Sequence, residues 1–217
     1  MKNLMIKEIR LAASPLSFIF ILFSVMALIP GYPILVSAFF ICFGIFQSFQ
    51  SACENNDILY TVLLPIKKTD TVKIKYRFTV LIQMISFIIM VILSLLRMTV
   101  MAEVIPYTQN VMMNANQFFL GCTLLVFASF NLFFLGGFFR TGYKYGKPFL
   151  YFGIVSFLLM VIAESLHHIP GLEFLNRTDS MKETGMWLFL VITVILYILV
   201  TELSCKSAMK NFEAVDM

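Results

Sequence analysis

The sequence is poor in charge. Only 13% of its 217 residues are Asp, Glu, Lys or Arg, about half the roughly 25% of an ordinary soluble domain. It holds one Trp and two His, and its four cysteines, Cys42, Cys53, Cys122 and Cys205, show no paired spacing. That argues against a disulfide framework or a cysteine metal site. No loop is long enough to fold as a soluble catalytic domain. No Walker A sequence occurs: the nearest approach, GYKYGKP over 142–148, has three residues between its glycines where four are needed, and Pro148 replaces Ser or Thr. His167 and His168 are adjacent, so they cannot share a helix face as the histidines of an H-E-x-x-H zinc site do. They read as interfacial loop histidines, and no metal is expected. Neither paired glutamates nor a Ser–His arrangement is visible. The chain is therefore expected to have no catalytic residues and no cofactor of its own.

What it has is hydrocarbon. Hydrophobic residues make up 60% of the chain, with a mean hydropathy of +0.90. Runs of about twenty apolar residues match a hydrocarbon core about 30 Å thick, at 1.5 Å rise per helical residue. From Leu11 to Cys53 there is no charged residue, enough helix for two crossings. PGYP at 30–33 interrupts that run where a tight turn belongs, because proline removes a backbone donor and glycine relaxes the chain. The fold class expected is all-α and integral to the membrane, one transmembrane domain over 1–217. Its six spans fall at about 15–29, 33–51, 78–101, 117–139, 148–166 and 186–204. The N-terminus lacks an A-x-A cleavage site and reads as a retained first helix.

Orientation follows from the bases. With the N-terminus inside, thirteen Lys and Arg fall on internal segments, among them Lys2, Lys7, Arg10, Lys67, Lys68, Lys73, Lys75, Arg77, Arg140 and Lys147. The external loops hold only Arg177 and Lys182. This positive-inside bias places both termini in the cytoplasm of a multi-pass cell-membrane protein. The net charge of +4 records topology rather than nucleic-acid binding. Ionisable residues within spans are few and lie near the ends: Arg97, Glu164 and Glu202. Snorkelling, or an Arg97–Glu164 pair at the outer surface, would account for them. No chain of buried acids crosses the membrane, which argues against proton or sodium coupling and for an external energy source.

The longest polar stretch, CENNDILYTVLLPIKKTDTVKIKYR over 53–77, sits between the second and third spans. Ile58 and Val62, with Leu59 and Leu63, recur at i, i+4 and give a short helix one apolar face, ended by Pro65. The bases that follow would meet an anionic inner leaflet. Physics alone allows a mere connector. The stretch resembles, however, the corresponding loop of ABC-2 type permeases, in the small bacterial branch whose membrane subunit is a separate chain. That pattern is an acid-and-Asn start (Glu54, Asn55, Asn56), then LP-[IV]-x-[RK] (Leu64 to Lys68), then V-x-x-K-[YF] (Val72 to Tyr76). The resemblance covers essentially the whole chain. It implies that Glu54, Asn55, Asn56, Asp57, Ile58, Leu59, Val62 and Leu63 belong to a coupling helix resting in a groove of an ATP-binding cassette ATPase, flanked by Lys67 and Lys68. ATP and Mg would be bound by that partner. The N-terminal KNLMIKEIRLAASP, with bases among Leu4, Met5, Ile6 and Ile9, fits the interfacial amphipathic helix of such permeases. Six spans make half a transporter, so a second copy or a paralogue is implied.

Gln47, Gln50, Ser51 and Glu54 fall at i, i+3, i+4, i+7 on the second span, beside Phe39, Phe40, Phe43, Phe46 and Phe49. One reading is a substrate path using Gln47, Gln50, Phe43, Phe46 and Asn131; the other is interhelical hydrogen bonding with lipid-facing rings. Gln83 carries the same ambiguity. With 24 Phe and 14 Met the surface suits amphipathic or lipid-like cargo better than a small ion. The sequence also resembles permeases of exporters for phenol-soluble modulins, which are short amphipathic peptides. Immunity-type permeases that expel peptide antibiotics are an alternative, as is a non-transporting membrane scaffold or sensor. For a coupling helix, Glu54→Ala or Leu63→Asp is expected to uncouple ATP hydrolysis from export while membrane insertion persists. ATPase and export assays on the same vesicles read this, and unchanged export in both variants would count against the assignment.

Overall fold

The computed structural model describes residues 2–57, 61, 66–142, 144–177 and 183–214. Among these every regular element is helical and none is a strand. The first helix, α1 (Lys2–Lys7), runs on as a π-helical turn through Glu8–Ala12. Ala13 and Ser14 are extended, the Ser14 hydroxyl caps the Leu16 amide, and Pro15 takes the first helical position of α2 (Pro15–Ile19). The order Ser then Pro is what a helix start requires: a side-chain acceptor, then a residue with no amide to satisfy. The axes over Leu4–Arg10 and Pro15–Leu28 meet at 88°, so α1 lies across the bundle end.

Helix α2 continues as a 3-10 helix through Phe20–Leu28. Its fourteen residues are short for a span. At 2.0 Å rise over the 3-10 part they reach about 25 Å, against about 21 Å as pure α-helix. Gly31, at φ +70°, makes the turn that follows, and its amide donates to Asn110 Oδ1 at 3.0 Å. Then come α3 (Val36–Glu54), α4 (Lys68–Thr99), the single turn α5 (Ile105–Thr108) and α6 (Gln117–Ser129). A π-helical stretch, Phe130–Leu135, carries α6 on to Arg140. α7 (Gly146–Leu166), a 3-10 turn at Glu173–Asn176 and α8 (Thr184–Glu213) complete the order.

Five of these helices, α3, α4, α6, α7 and α8, are long and apolar enough to cross a membrane, and the bent pair α1–α2 is a sixth candidate. The protein is thus an all-helical membrane protein. The helix that carries the span expected at about 78–101 starts at Lys68, so the basic stretch after Lys67 forms the first turns of α4 itself. Similarly α8 runs to Glu213, well beyond the hydrophobic stretch.

Burial separates the helices by role. The most apolar window of α6 is 83% buried, whereas those of α7 and α8 are 17% buried. A helix apolar on all sides is buried or faces lipid, and α7 and α8, with Leu150, Phe157, Ile162, Leu188 and Leu203 exposed, take the second option. Around α6 an aromatic seam joins three helices. Phe46 of α3 stacks on Phe149 of α7 at 3.9 Å and meets Phe134 of α6 edge-on at 5.5 Å, while Phe49 packs edge-on against Phe134 and Phe138. Between α2 and α3 the contact relies on small residues instead. Ser17 Oγ donates to the Gly44 carbonyl at 2.6 Å and lies 2.5 Å from Ser48 Oγ. A Cβ on Gly44 would sit 2.5 Å from Phe20 Cβ, so only glycine lets the two backbones approach. Gly44→Val should therefore push α2 away, costing about 1–3 kcal/mol from overpacking. A melting temperature in detergent lower by several degrees checks this.

Candidate functional site

At one end of the bundle four charges meet. The Lys75 ammonium of α4 lies 2.6 Å from Glu8 Oε2 and 3.4 Å from Asp57 Oδ2. Lys7 pairs with Asp57, stands 3.6 Å from Glu8 Oε1, and donates to Thr61 Oγ1 at 2.6 Å. Two cations face two anions, so the junction is balanced. Its inner pair is dry: the side chains of Lys75 and Glu8 are 3% and 2% exposed, against 21% and 14% for Lys7 and Asp57, and the Phe49 ring lies 5.6 Å from the Lys75 ammonium. The helix geometry explains how the residues arrive. Lys7 and Glu8 sit where α1 passes into its π-helical turn, and Lys75 is two turns inside α4. Asp57 follows directly on the turn that ends α3. In that turn Asn56 is left-handed (φ 52°), a conformation Asn tolerates better than most residues.

Of the residues expected to couple to an ATPase, Glu54, Asn55 and Asn56 are exposed, and Gln50 Nε2 holds Glu54 Oε1 at 3.0 Å. Asp57 instead faces inward, into the junction. The Thr61 hydroxyl donates to the Asp57 carbonyl at 2.7 Å. Ile58, Leu59, Val62 and Leu63 lie outside the described residues. Lys67 is the extended residue before α4 and Lys68 its first helical residue. The pairing of Glu8 with Lys75 was missed from sequence. Each was read as part of a basic or amphipathic stretch, and only the fold shows that the lone acid of the N-terminal helix and a lysine 67 positions on are neighbours.

The residues expected along a substrate path separate. Phe43 and Phe46 belong to the aromatic seam, with Phe43 5.9 Å from Phe149 and 5.7 Å from Phe20. Gln47 and Gln50 are half-buried on α3. Asn131 is fully buried, with other partners. It exchanges amide hydrogen bonds with Gln83 of α4, both at 3.1 Å, and donates to Thr201 Oγ1 at 2.9 Å. The Tyr197 hydroxyl donates to Gln83 Oε1 at 2.8 Å. The Asn131 carbonyl opens the π-helical stretch: it accepts from the Gly136 amide and from Ser204 Oγ at 2.7 Å, which in turn lies 2.7 Å from the Tyr76 hydroxyl. Three helices, α4, α6 and α8, are thus joined by satisfied polar groups within the apolar core, where unpaired ones are costly.

Arg97 corrects an expectation. It neither snorkels nor pairs with Glu164. It is 1% exposed, donates to the Ala27 carbonyl at 2.8 Å and to Asn114 Oδ1 at 2.6 Å, and stacks 4.3 Å from the Tyr107 ring centroid. It thereby fastens the end of α2 to the segment before α6. Glu164 accepts instead from the Met113 amide at 2.8 Å.

A family model described as ABC-2 family transporter protein matches residues 3–213. The chain belongs to that family. No curated protein and no solved structure matches it. The protein is accordingly the membrane component of an ABC-2 type transporter, a permease of a family that lacks the ATPase domain and works with ATPase subunits.

Removing one member of a buried ion pair leaves the other uncompensated and costs about 3–5 kcal/mol, whereas removing both together is far milder. Lys75→Met should therefore destabilise the protein strongly. Glu8→Gln combined with Lys75→Met should recover much of the loss, since Lys7 and Asp57 remain paired. Thermal unfolding in detergent of the single and double variants reads the difference.

Proposed function

We propose that this permease exports amphipathic peptides, similar in kind to phenol-soluble modulins, with its ionic end facing the cytoplasm and an ATP-binding cassette ATPase docked there. The observation that carries the reading is the ionic junction beside the exposed Glu54–Asn55–Asn56 turn. A segment that receives force from a partner needs an exposed surface to touch and a stiff attachment to pass the force on. Here the exposed turn continues into Asp57, and Asp57 is held to both α1 and α4. The positive-inside rule supports the orientation, because Lys7, Lys67, Lys68, Lys73, Arg77, Arg140, Lys147 and Lys206 all lie towards this end. A second copy of the chain or a paralogue supplies the other half of the transporter.

Cargo of mixed polarity fits the clefts near the ionic end. One, of about 550 Å³ between α4 and α8, sets Lys73, Arg77 and Lys206 beside Val80, Leu81 and Met209. Another, of about 570 Å³, sets Arg140 and Lys147 beside Leu132 and Phe133. Each lining combines cations with apolar side chains, and the first also includes Glu202. Peptide antibiotics meet the same requirement and form the second reading.

Affinity purification from native membranes in mild detergent, followed by mass identification, tests the assignment. A stoichiometric partner with a Walker A sequence is expected. Recovery of the chain with no ATPase, repeated after crosslinking, would return the 53–77 stretch to a connector and favour a scaffold or sensor.

A further inference from the structure

At the end opposite the ionic junction, the C-terminus of α7 brings together side chains that sequence reading kept apart. Glu164, His167 and His168 each present one ligand atom within 4.8 Å of the others. The two imidazole rings lie 4.1 Å apart between centroids. We propose that these three residues bind one divalent transition-metal ion of the Zn2+ type.

His167 carries the argument. It is 6% exposed, its Nε2 lies 3.1 Å from the Val111 carbonyl oxygen, and its Nδ1 has no hydrogen-bond partner. A carbonyl can only accept, so Nε2 bears the proton and donates it. In a neutral imidazole that leaves the lone pair on Nδ1. A buried lone pair without a donor is an unmet demand, and a metal ion meets it. Hydrogen-bonding one ring nitrogen to a carbonyl is also how proteins fix the tautomer and ring orientation of a ligating histidine.

Glu164 is oriented from the same segment. Its Oε1 accepts from the Met113 amide at 2.8 Å and stands 4.0 Å from His167 Nε2. That is too long for a hydrogen bond and lies on the protonated side of the ring, so it is the second carboxylate oxygen that would have to turn towards an ion held at Nδ1. His168 is exposed and can turn. Metal–ligand bonds of about 2.0–2.1 Å place tetrahedral ligand atoms roughly 3.4 Å apart. The set therefore has to draw in by up to about 1.4 Å, which side-chain rotation of the exposed His168 and the partly exposed Glu164 supplies. Two imidazoles and a carboxylate suit Zn2+, Ni2+ or Cu2+ better than Ca2+ or Mg2+. With three protein ligands a fourth position is left for water.

The bound ion would do more than sit on the surface. Val111 and Met113, which orient the ligands, belong to the segment that Asn114 ties to Arg97, and Arg97 holds the end of α2. Metal binding would then tighten α7 against the segment covering this end of the bundle.

The test uses the full chain, purified on a tag without histidines. Titration with Co2+ followed by visible absorption, then competition with Zn2+, should show one site per chain. Zn2+ should raise the melting temperature, reversibly with a chelator. His168→Gln, on an exposed side chain, should keep the metal-free melting temperature but weaken Zn2+ binding at least tenfold and lose the shift. His167→Gln should abolish binding. Absence of stoichiometric binding in the wild type, or binding as tight as wild type in either histidine variant, would overturn the proposal and leave adventitious ions only.

Discussion

The buried Lys75 ammonium constrains everything at the ionic end. A lysine with its side chain 3% exposed cannot stay charged without acids beside it. The two acids that serve it come from different segments: Glu8 from the π-helical turn after α1, Asp57 from the turn after α3. Lys7 then balances the second acid. The N-terminal helix, the stretch between α3 and α4, and α4 itself are thereby held to one point. The apolar packing below does not require that arrangement; the charge balance does. It is also what makes α1 part of the transporter's frame rather than a loose interfacial strip.

The all-helical class and the run of long apolar helices were legible in the sequence because they rest on local rules. Ser14 then Pro15 starts a helix, PGYP turns the chain, and uninterrupted apolar runs of the right length become long helices. Where charge enters, the helices overrun the hydrophobic stretches, since nothing in the sequence stops α4 from beginning at Lys68 or α8 from running to Glu213. The polar stretch after α3 was legible as polar, but Asn55 and Asn56, expected within a helix, form a turn, with Asn56 left-handed. The pairing of its inward member, Asp57, with Lys7 and Lys75 was not legible. Charge partners distant in sequence follow from packing, and packing follows from contacts such as Gly44 against Phe20 that no periodicity reports.

Polar residues in the core divide in the same way. Gln83 and Asn131 were left between a substrate path and interhelical hydrogen bonding; the structure pairs them amide to amide across α4 and α6, beside the π-helical stretch that starts at Phe130. Arg97 shows the opposite error. Snorkelling or a surface pair with Glu164 was expected, yet Arg97 is buried, and a carbonyl, an asparagine and a tyrosine ring satisfy most of the guanidinium. That frees Glu164 for the histidines beyond it. One misassigned pair thus hid a second cluster.

If the exposed turn after α3 meets the ATPase and the ionic junction stiffens it, a photocrosslinking residue placed at Asn55 in native membranes should reach the partner. A crosslink to a protein carrying a Walker A sequence is expected, and its yield should fall several-fold when Lys75→Met is added to chains that still insert normally. No ATPase adduct from this position, or a yield indifferent to Lys75, would contradict this arrangement.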